Sequence, residues 1–159
     1  YLNTGDWEKA ATFAKEDDGF IGSLALFELG NKQKALTAFL QEAIESPHTA
    51  RMLLQMPKPK PTGFIAVEDH NSGIYFKDQL AGYFKIQPPA TRRFFKDLSK
   101  NTIFIDILKK VDEHTKKHGS HLPQQQHHEN FTQWHSMREK AYSTNQAKAI
   151  LKSMNLTTT

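Results

Sequence analysis

The sequence predicts an all-α protein, and two observations support this fold class. Apolar residues recur every three or four positions through most of the 159-residue chain, which is the period of an amphipathic helix. Glycine, asparagine or proline stands at the end of nearly every such stretch, and these residues stop helices. Strand patterns are almost absent, with residues 65–67 as the only short candidate.

The first ten residues contain the end of one predicted helix and the start of another. Gly5 suits the left-handed conformation just past a helix C-terminus, and Asp6 is a good N-terminal cap for the next helix. Trp7, Ala10 and Ala14 recur at i, i+3 and i+7, so they share one helical face. We expect a neighbouring helix to approach the alanines of this face closely.

Two apolar helices are predicted next, separated by Gly30-Asn31. The first, over residues 20–29, is apolar on almost all sides, which is typical of a helix buried between others. The second has one apolar stripe and ends at Ser46-Pro47, because the residue before a proline disfavours the helical conformation. Its stripe consists of Ala35, Leu36, Phe39, Leu40, Ala43 and Ile44. A short helix through residues 52–54 is expected after it.

A pattern of turn and helix residues occurs twice within the first 47 residues. An aromatic residue precedes a turn glycine, and an alanine follows that glycine by five residues. In the second copy another aromatic residue and a closing proline come later. The residues that carry the pattern are Gly5, Trp7, Ala10, Gly30, Ala35, Phe39 and Pro47. This spacing resembles the tetratricopeptide repeat (TPR), a helix–turn–helix unit of about 34 residues.

The chain departs from the TPR consensus in three places, one of which is that the alanine expected seven residues after Ala35 comes one residue later, at Ala43. Gly5 and Gly30 are only 25 residues apart, and Gly19-Phe20 stands near the place of the first-helix tryptophan. Residues 42–54 also resemble the end of divergent TPR arrays in the suppression-of-tumorigenicity family, whose members are known mainly as interaction scaffolds. Together these resemblances imply a TPR-like α-solenoid fragment over residues 1–55.

A connector rich in proline and lysine is assigned to residues 56–70. Its alternating prolines forbid a helix and favour an extended path. Glu68-Asp69-His70 could form an acid/base group, but no nucleophile or partner motif lies near these residues in the sequence. We therefore expect a turn at this position, before a helix capped by Asn71 or Ser72.

The second half of the chain predicts helices over residues 71–118 and 127–159, separated by a polar loop at 119–126. Pro88-Pro89 suits the first turn of one of these helices. The apolar positions are Phe76, Leu80, Tyr83, Phe84, Phe94, Phe95, Leu98, Ile103, Phe104, Ile107, Leu108, Val111, Phe131, Trp134, Met137, Ala147, Ile150, Leu151 and Met154. We expect a C-terminal helical cap or bundle, and continuation of the solenoid is the alternative.

Charge is distributed unevenly along the chain. Residues 1–80 carry 8 Lys/Arg and 11 Asp/Glu, a net charge of −3, whereas residues 81–159 carry 13 and 6, a net charge of +7. This asymmetry suggests that the second half meets an acidic partner, and a solvated lysine-rich surface is the simpler alternative. The candidate partner-binding residues are Arg92, Arg93, Lys96 and Lys100. Phe94 and Phe95, on the opposite side, are expected in the core rather than in a base-stacking platform.

The histidines do not predict a physiological metal site. His114 and His118 lie four residues apart on one predicted helix and could supply two zinc ligands. The pair lacks the glutamate of the metalloprotease motif, and the chain contains no cysteine, so we treat any metal binding here as incidental. Phosphate-binding loops and local nucleophile motifs are also absent from the sequence. We expect no catalytic residues, no cofactor and no enzyme activity.

The sequence thus predicts a non-catalytic adaptor, scaffold or regulatory domain that binds a protein or peptide partner through a helical-repeat surface. The expected partner is a protein with an acidic patch. A basic helical module that binds nucleic acid or another polyanion is the alternative. No apolar stretch reaches the length of a membrane span, and the lack of cysteine suggests a cytoplasmic location or delivery into a reducing cytosol.

Overall fold

The computed structural model describes residues 1–14, 19–61, 63–118 and 124–156, and the side chains of all of these except 117, 118 and 124–130. Within these residues the chain forms helices and no strand, which confirms the predicted all-α class. A short 3-10 helix at Leu2–Thr4 comes first. The α-helices are α1 (Trp7–Phe13), α2 (Gly19–Glu28), α3 (Lys32–Glu45), α4 (Pro47–Leu53), α5 (Phe64–Gln79), α6 (Ala81–Ile86), α7 (Pro89–Leu98), α8 (Thr102–His118), α9 (Gln124–Arg138) and α10 (Lys140–Ser153).

The predicted helix boundaries at Gly5-Asp6, Gly30-Asn31 and Ser46-Pro47 are confirmed. Gly5 and Gly30 have φ angles of +79° and +81°, the left-handed conformation that glycine adopts without strain. Asp6 caps α1 by accepting the backbone N–H of Lys9 at 3.3 Å. Pro47 is the first residue of α4, where a missing N–H costs nothing because no intrahelical partner exists for it.

Helix α3 lies at the centre of the molecule. Its predicted apolar stripe is buried on all sides, because the helix contacts α2, α4, α8, α9 and α10. Phe39 shows this position best, with ring centroids of Phe20, Phe95 and Phe104 at 5.2, 6.0 and 6.2 Å. In a solenoid each repeat contacts only its neighbours along the chain. The solenoid arrangement over residues 1–55 therefore stays a prediction, while the C-terminal helices pack back onto α3.

The N-terminal segment and the end of α10 are tied into this bundle by side-chain contacts. Asn3 accepts the backbone N–H of Tyr83 at 2.8 Å and donates to the carbonyl of Gln79 at 2.7 Å, which joins the N-terminal segment to α5 and α6. Asn101, just before α8, donates to the Ser153 hydroxyl at 2.7 Å at the end of α10. These contacts join segments that are far apart in sequence.

Helix α5 corrects the sequence analysis. It begins at Phe64, inside the segment 56–70 that was assigned to the connector, so the strand candidate at 65–67 and the turn at 68–70 are wrong. Asn71 and Ser72 lie within the helix and do not cap it. Gly63, with a φ angle of +84°, marks the true start. Residues 55–61 run without helix between α4 and α5, and Lys58 and Lys60 on this connector are exposed.

The later helices follow the prediction more closely. Pro89 is the first residue of α7, and Phe94, Phe95 and Leu98 are buried as expected. Phe131 is the exception, because it is exposed on α9 although its spacing suggested a core position. The polar loop at 119–126 overlaps the start of α9 at Gln124, and its residues 119–123 lie outside the described part of the chain.

Candidate interaction surface

Helix α5 lies at the edge of the bundle, where it packs mainly against α4 and α6. Its buried row consists of Ala66, Asp69 and Gly73, which recur at i, i+3 and i+7. Gly73 lies so close to α4 that a Cβ atom there would be 2.9 Å from the Met52 sulfur and 3.0 Å from the Cα of Thr49. The absence of a side chain at Gly73 is therefore what allows the two helices to approach each other.

The opposite side of α5 carries large apolar side chains in solvent. Phe64 is 76% exposed, Val67 42%, Ile74 47% and Tyr75 62%. Their spacing of three, ten and eleven residues from Phe64 puts them on one side of the helix, which we call the outer face of α5. Ile65, 69% exposed, lies at its margin. A row of exposed apolar side chains of this kind is typical of an interaction surface.

The charged residues on the outer face are acidic. Glu68 and Asp78 are exposed between and beyond the apolar positions. Lys77 is also exposed, but it follows Gly73 by four residues and so continues the row that faces α4. Tyr75 is held in place by the Gln79 side chain, which donates a hydrogen bond to its hydroxyl at 2.7 Å. The outer face is therefore apolar with acidic neighbours.

A buried polar cluster joins the inner side of α5 to α4. The Asp69 carboxylate accepts the backbone N–H groups of His48 and Thr49 at 2.7 and 3.1 Å and the Thr49 hydroxyl at 2.7 Å. These amides belong to the first turn of α4, where backbone N–H groups have no partner within the helix. Asp69 thus caps α4 from a neighbouring helix and holds α5 in position.

Two further features of this cluster involve ionisable side chains. Arg51 on α4 forms a largely buried ion pair with Asp112 on α8, at 2.6 Å. The imidazole rings of His48 and His70 meet edge to face, with centroids 5.9 Å apart. Burial is the main cause that lowers the pKa of His48, and the nearby Asp69 opposes this only in part. His48 is therefore held neutral near pH 7.

A second hydrogen-bonded group connects α2, α6 and α7. The Tyr83 hydroxyl donates to Glu28 at 2.7 Å and accepts from the Gln87 amide at 3.1 Å, while Thr91 donates to Glu28 at 3.0 Å. Burial is the main cause that raises the pKa of Tyr83 well above its usual range, and the hydrogen bond to Glu28 raises it further. The Tyr83 hydroxyl therefore donates a hydrogen bond that joins α6 to the end of α2.

The four basic candidates are all exposed. Arg92, Arg93 and Lys96 lie on α7, whereas Lys100 lies just beyond the end of that helix. Arg92 also donates to the backbone carbonyl of Gln87 at 3.1 Å, which directs its guanidinium toward the start of α7. The helix therefore presents cations to solvent.

The histidine pair considered for metal binding is described only in part. The His114 ring stacks on Trp134 of α9, with centroids 4.4 Å apart and planes 3° apart, and the side chain of His118 lies outside the described residues. Among the side chains that the structure describes, no group of three or more His, Asp or Glu residues could hold a metal ion. In that same part of the chain, every helix is too short or too polar to cross a membrane.

Sequence reasoning missed the outer face of α5 for an identifiable reason. Apolar residues stand on both sides of this helix, so the sequence has no clear amphipathic stripe there. The adjacent prolines also pointed to an extended segment. The spacing of Phe64, Val67 and Ile74, at i, i+3 and i+10, is a signal that could have indicated a helix with a second apolar face.

The fold and the surface together define the class: an all-α protein whose candidate site is an exposed, apolar helix face. No protein-family model, curated protein or solved structure matches the chain. The TPR resemblance therefore rests on the spacing of the turn and helix residues alone.

Proposed function

We propose that this protein is a non-catalytic interaction module that binds another protein through the outer face of α5. The observation that supports this is the row of four large apolar side chains left in solvent along one helix. Burial of each such side chain stabilises a complex by roughly 1.5–3 kcal/mol before the costs of association are subtracted. Few residues thus suffice for a specific contact.

The partner we propose is a protein with an amphipathic helix whose apolar stripe is flanked by lysine or arginine. The apolar positions of α5 recur at helical spacing, and a second helix can pack its side chains between them. The neighbouring charges, Glu68 and Asp78, favour a basic partner helix over an acidic one.

A defined peptide tests this proposal. We expect a synthetic helix with leucines on one face and flanking lysines to bind the protein, as measured by fluorescence anisotropy. Phe64→Ser with Ile74→Ser should weaken binding at least about tenfold, since each change removes apolar contact area. Phe131→Ser, at an exposed aromatic residue of α9, is the matched control and should leave binding unchanged.

Charge reversal makes the same test more specific. Glu68→Lys with Asp78→Lys should weaken binding of the lysine peptide and strengthen binding of an otherwise identical glutamate peptide. Equal binding of both peptides to the unmodified protein would contradict the proposed partner chemistry. If the lysine peptide bound the Phe64→Ser, Ile74→Ser variant as tightly as the unmodified protein, the proposed surface would be contradicted.

A second candidate function is supported by the exposed cations of α7. Arg92, Arg93, Lys96 and Lys100 could contact an acidic protein patch or a nucleic acid, and such binding weakens steeply as salt rises. The Arg92→Glu, Arg93→Glu variant should then elute from heparin at lower salt than the unmodified protein. Lys109→Glu with Lys110→Glu on α8 makes the same change in net charge. If both variants lost the same affinity for heparin, net charge alone would explain the binding, and α7 would not be a specific site.

A further inference from the structure

The junction between α4 and α5 contains a buried histidine whose Nδ1 forms no hydrogen bond with the described residues. His48 is 5% exposed, and its Nδ1 has no hydrogen-bond partner among the described residues. The Nδ1 of His70 is likewise buried and without such a partner. The two rings are adjacent, one from each helix, so the pair lies directly in the contact that holds α5 on α4.

We propose that the His48–His70 pair is an acid-sensitive latch, which keeps α5 docked on α4 at neutral pH and releases α5 when His48 is protonated. Protonation would put a positive charge in a site that burial shields from water and that already faces a second imidazole. His48 can escape that environment only if the α4–α5 contact opens. Because α5 carries the outer face, the regulatory meaning of this latch rests on the proposed function.

The charged and titratable groups around His48 are Arg51 on its own helix, Asp69 and His70 on α5, and Asp112 on α8. Asp69 and Asp112 favour a charged imidazole, whereas Arg51 and His70 disfavour it. Asp112 is already paired with Arg51, and Asp69 already accepts three hydrogen bonds from α4. Neither carboxylate compensates fully for burial of the charge.

The direction of the pH effect follows from linkage. The pKa of His48 is lower in the folded protein than its ordinary value of about 6.5, so the unfolded or opened state takes up a proton first. The docked state is therefore fully stabilised above about pH 6.5 and loses stability as the pH falls below that value. The loss stops once the pH passes the lower pKa of the docked state.

Hydrogen exchange of the free protein tests the latch without any partner. After correction for the intrinsic exchange rate, we expect protection of the α5 amides to fall several-fold between pH 7.5 and 5.5, while α3 keeps its protection. His48→Gln should abolish this difference. His135→Gln, which removes an exposed histidine of α9, should leave it unchanged.

Titration of the histidine ring signals by NMR gives a second measurement that needs no variant. A midpoint for His48 below about 6.5 is expected. A midpoint at or above that value would overturn the proposal, as would α5 protection that is the same at both pH values.

Binding of the lysine peptide at the two pH values separates this inference from the proposed function. Loss of α5 protection in acid, together with weaker peptide binding at pH 5.5 than at 7.5, supports a latch that regulates the outer face. Loss of α5 protection in acid, with no peptide binding at pH 7.5, would support the latch and refute the proposed function. Peptide binding that is equal at both pH values refutes the regulatory role.

Discussion

Gly73 illustrates how a single residue sets the distance between two helices. Glycine is unfavourable within a helix by about 1 kcal/mol relative to alanine, so sequence reasoning alone regards it as a defect. Its place against the Thr49 backbone shows the compensating benefit, because α4 and α5 could not otherwise meet. The predicted core residues Phe39 and Phe104 were correct because large apolar residues at helical spacing have few alternatives. The role of Gly73 depends on a contact that the sequence does not contain.

We expect Gly73→Ala to lower the free energy of unfolding by about 1–2 kcal/mol. Overpacking costs about 1–3 kcal/mol, which exceeds the gain of about 1 kcal/mol in helix propensity. The Met52 side chain can move away, but the Cα of Thr49 is backbone and cannot do so cheaply. Urea unfolding followed by circular dichroism measures the change.

The neighbouring Ser72→Ala provides the comparison for this measurement. Ser72 is exposed on the same helix, so we expect a change within about 0.5 kcal/mol. If Gly73→Ala were as stable as Ser72→Ala, the close approach of α4 and α5 would be refuted.

At the scale of whole helices, local signals were sufficient where a cap and an apolar stripe agreed. Helices α1, α3 and α7 begin where Asp6, Asn31 and Pro89 indicate, and their buried residues include the predicted apolar positions Ala10, Phe39 and Phe94. Helix α5 has neither a capping side chain nor a single apolar stripe. Its N-terminal boundary is marked only by Gly63, through the backbone conformation of that residue. That is why the helix bearing the candidate site was the one the sequence analysis misassigned.

The different surroundings of α3 and α5 predict different local stabilities. Helix α3 is covered by five other helices, whereas α5 packs on one side only. At pH 7.5 we expect the α3 amides to exchange only through global unfolding and the α5 amides to exchange through local opening. Native-state hydrogen exchange in low concentrations of urea distinguishes these routes, because only global unfolding accelerates strongly with urea. Identical urea dependence in both helices would show that α5 belongs to the same cooperative unit.

At the scale of the molecule, the first half and the second half share one core. The ring centroid of Phe27 lies 4.7 and 5.0 Å from those of Phe94 and Phe95, and α10 packs along α3. The sequence predicted helices in both halves but left open whether the second continues or covers the first. Their arrangement depends on contacts between residues far apart in sequence, about which helix periodicity carries no information.

The shared core predicts that residues 1–55 do not fold alone. In that fragment the apolar side chains of α2 and α3 would lose the aromatic residues of α7 and α8 and be left in water. We expect little helix by circular dichroism and no cooperative thermal unfolding, in contrast to the full chain. Cooperative unfolding of the fragment would instead support an autonomous TPR-like array.

The connector between α4 and α5 has a consequence for proteolysis. It is the exposed, non-helical kind of segment that proteases usually cut first. Both of its lysines are followed by proline, at Lys58-Pro59 and Lys60-Pro61, and trypsin does not hydrolyse a lysyl–prolyl bond. Brief digestion of the native protein with trypsin should therefore leave α4 and α5 in one fragment. The resistance of two lysyl–prolyl bonds thus keeps the helix that carries the outer face attached to α4, even though the connector is exposed to solvent.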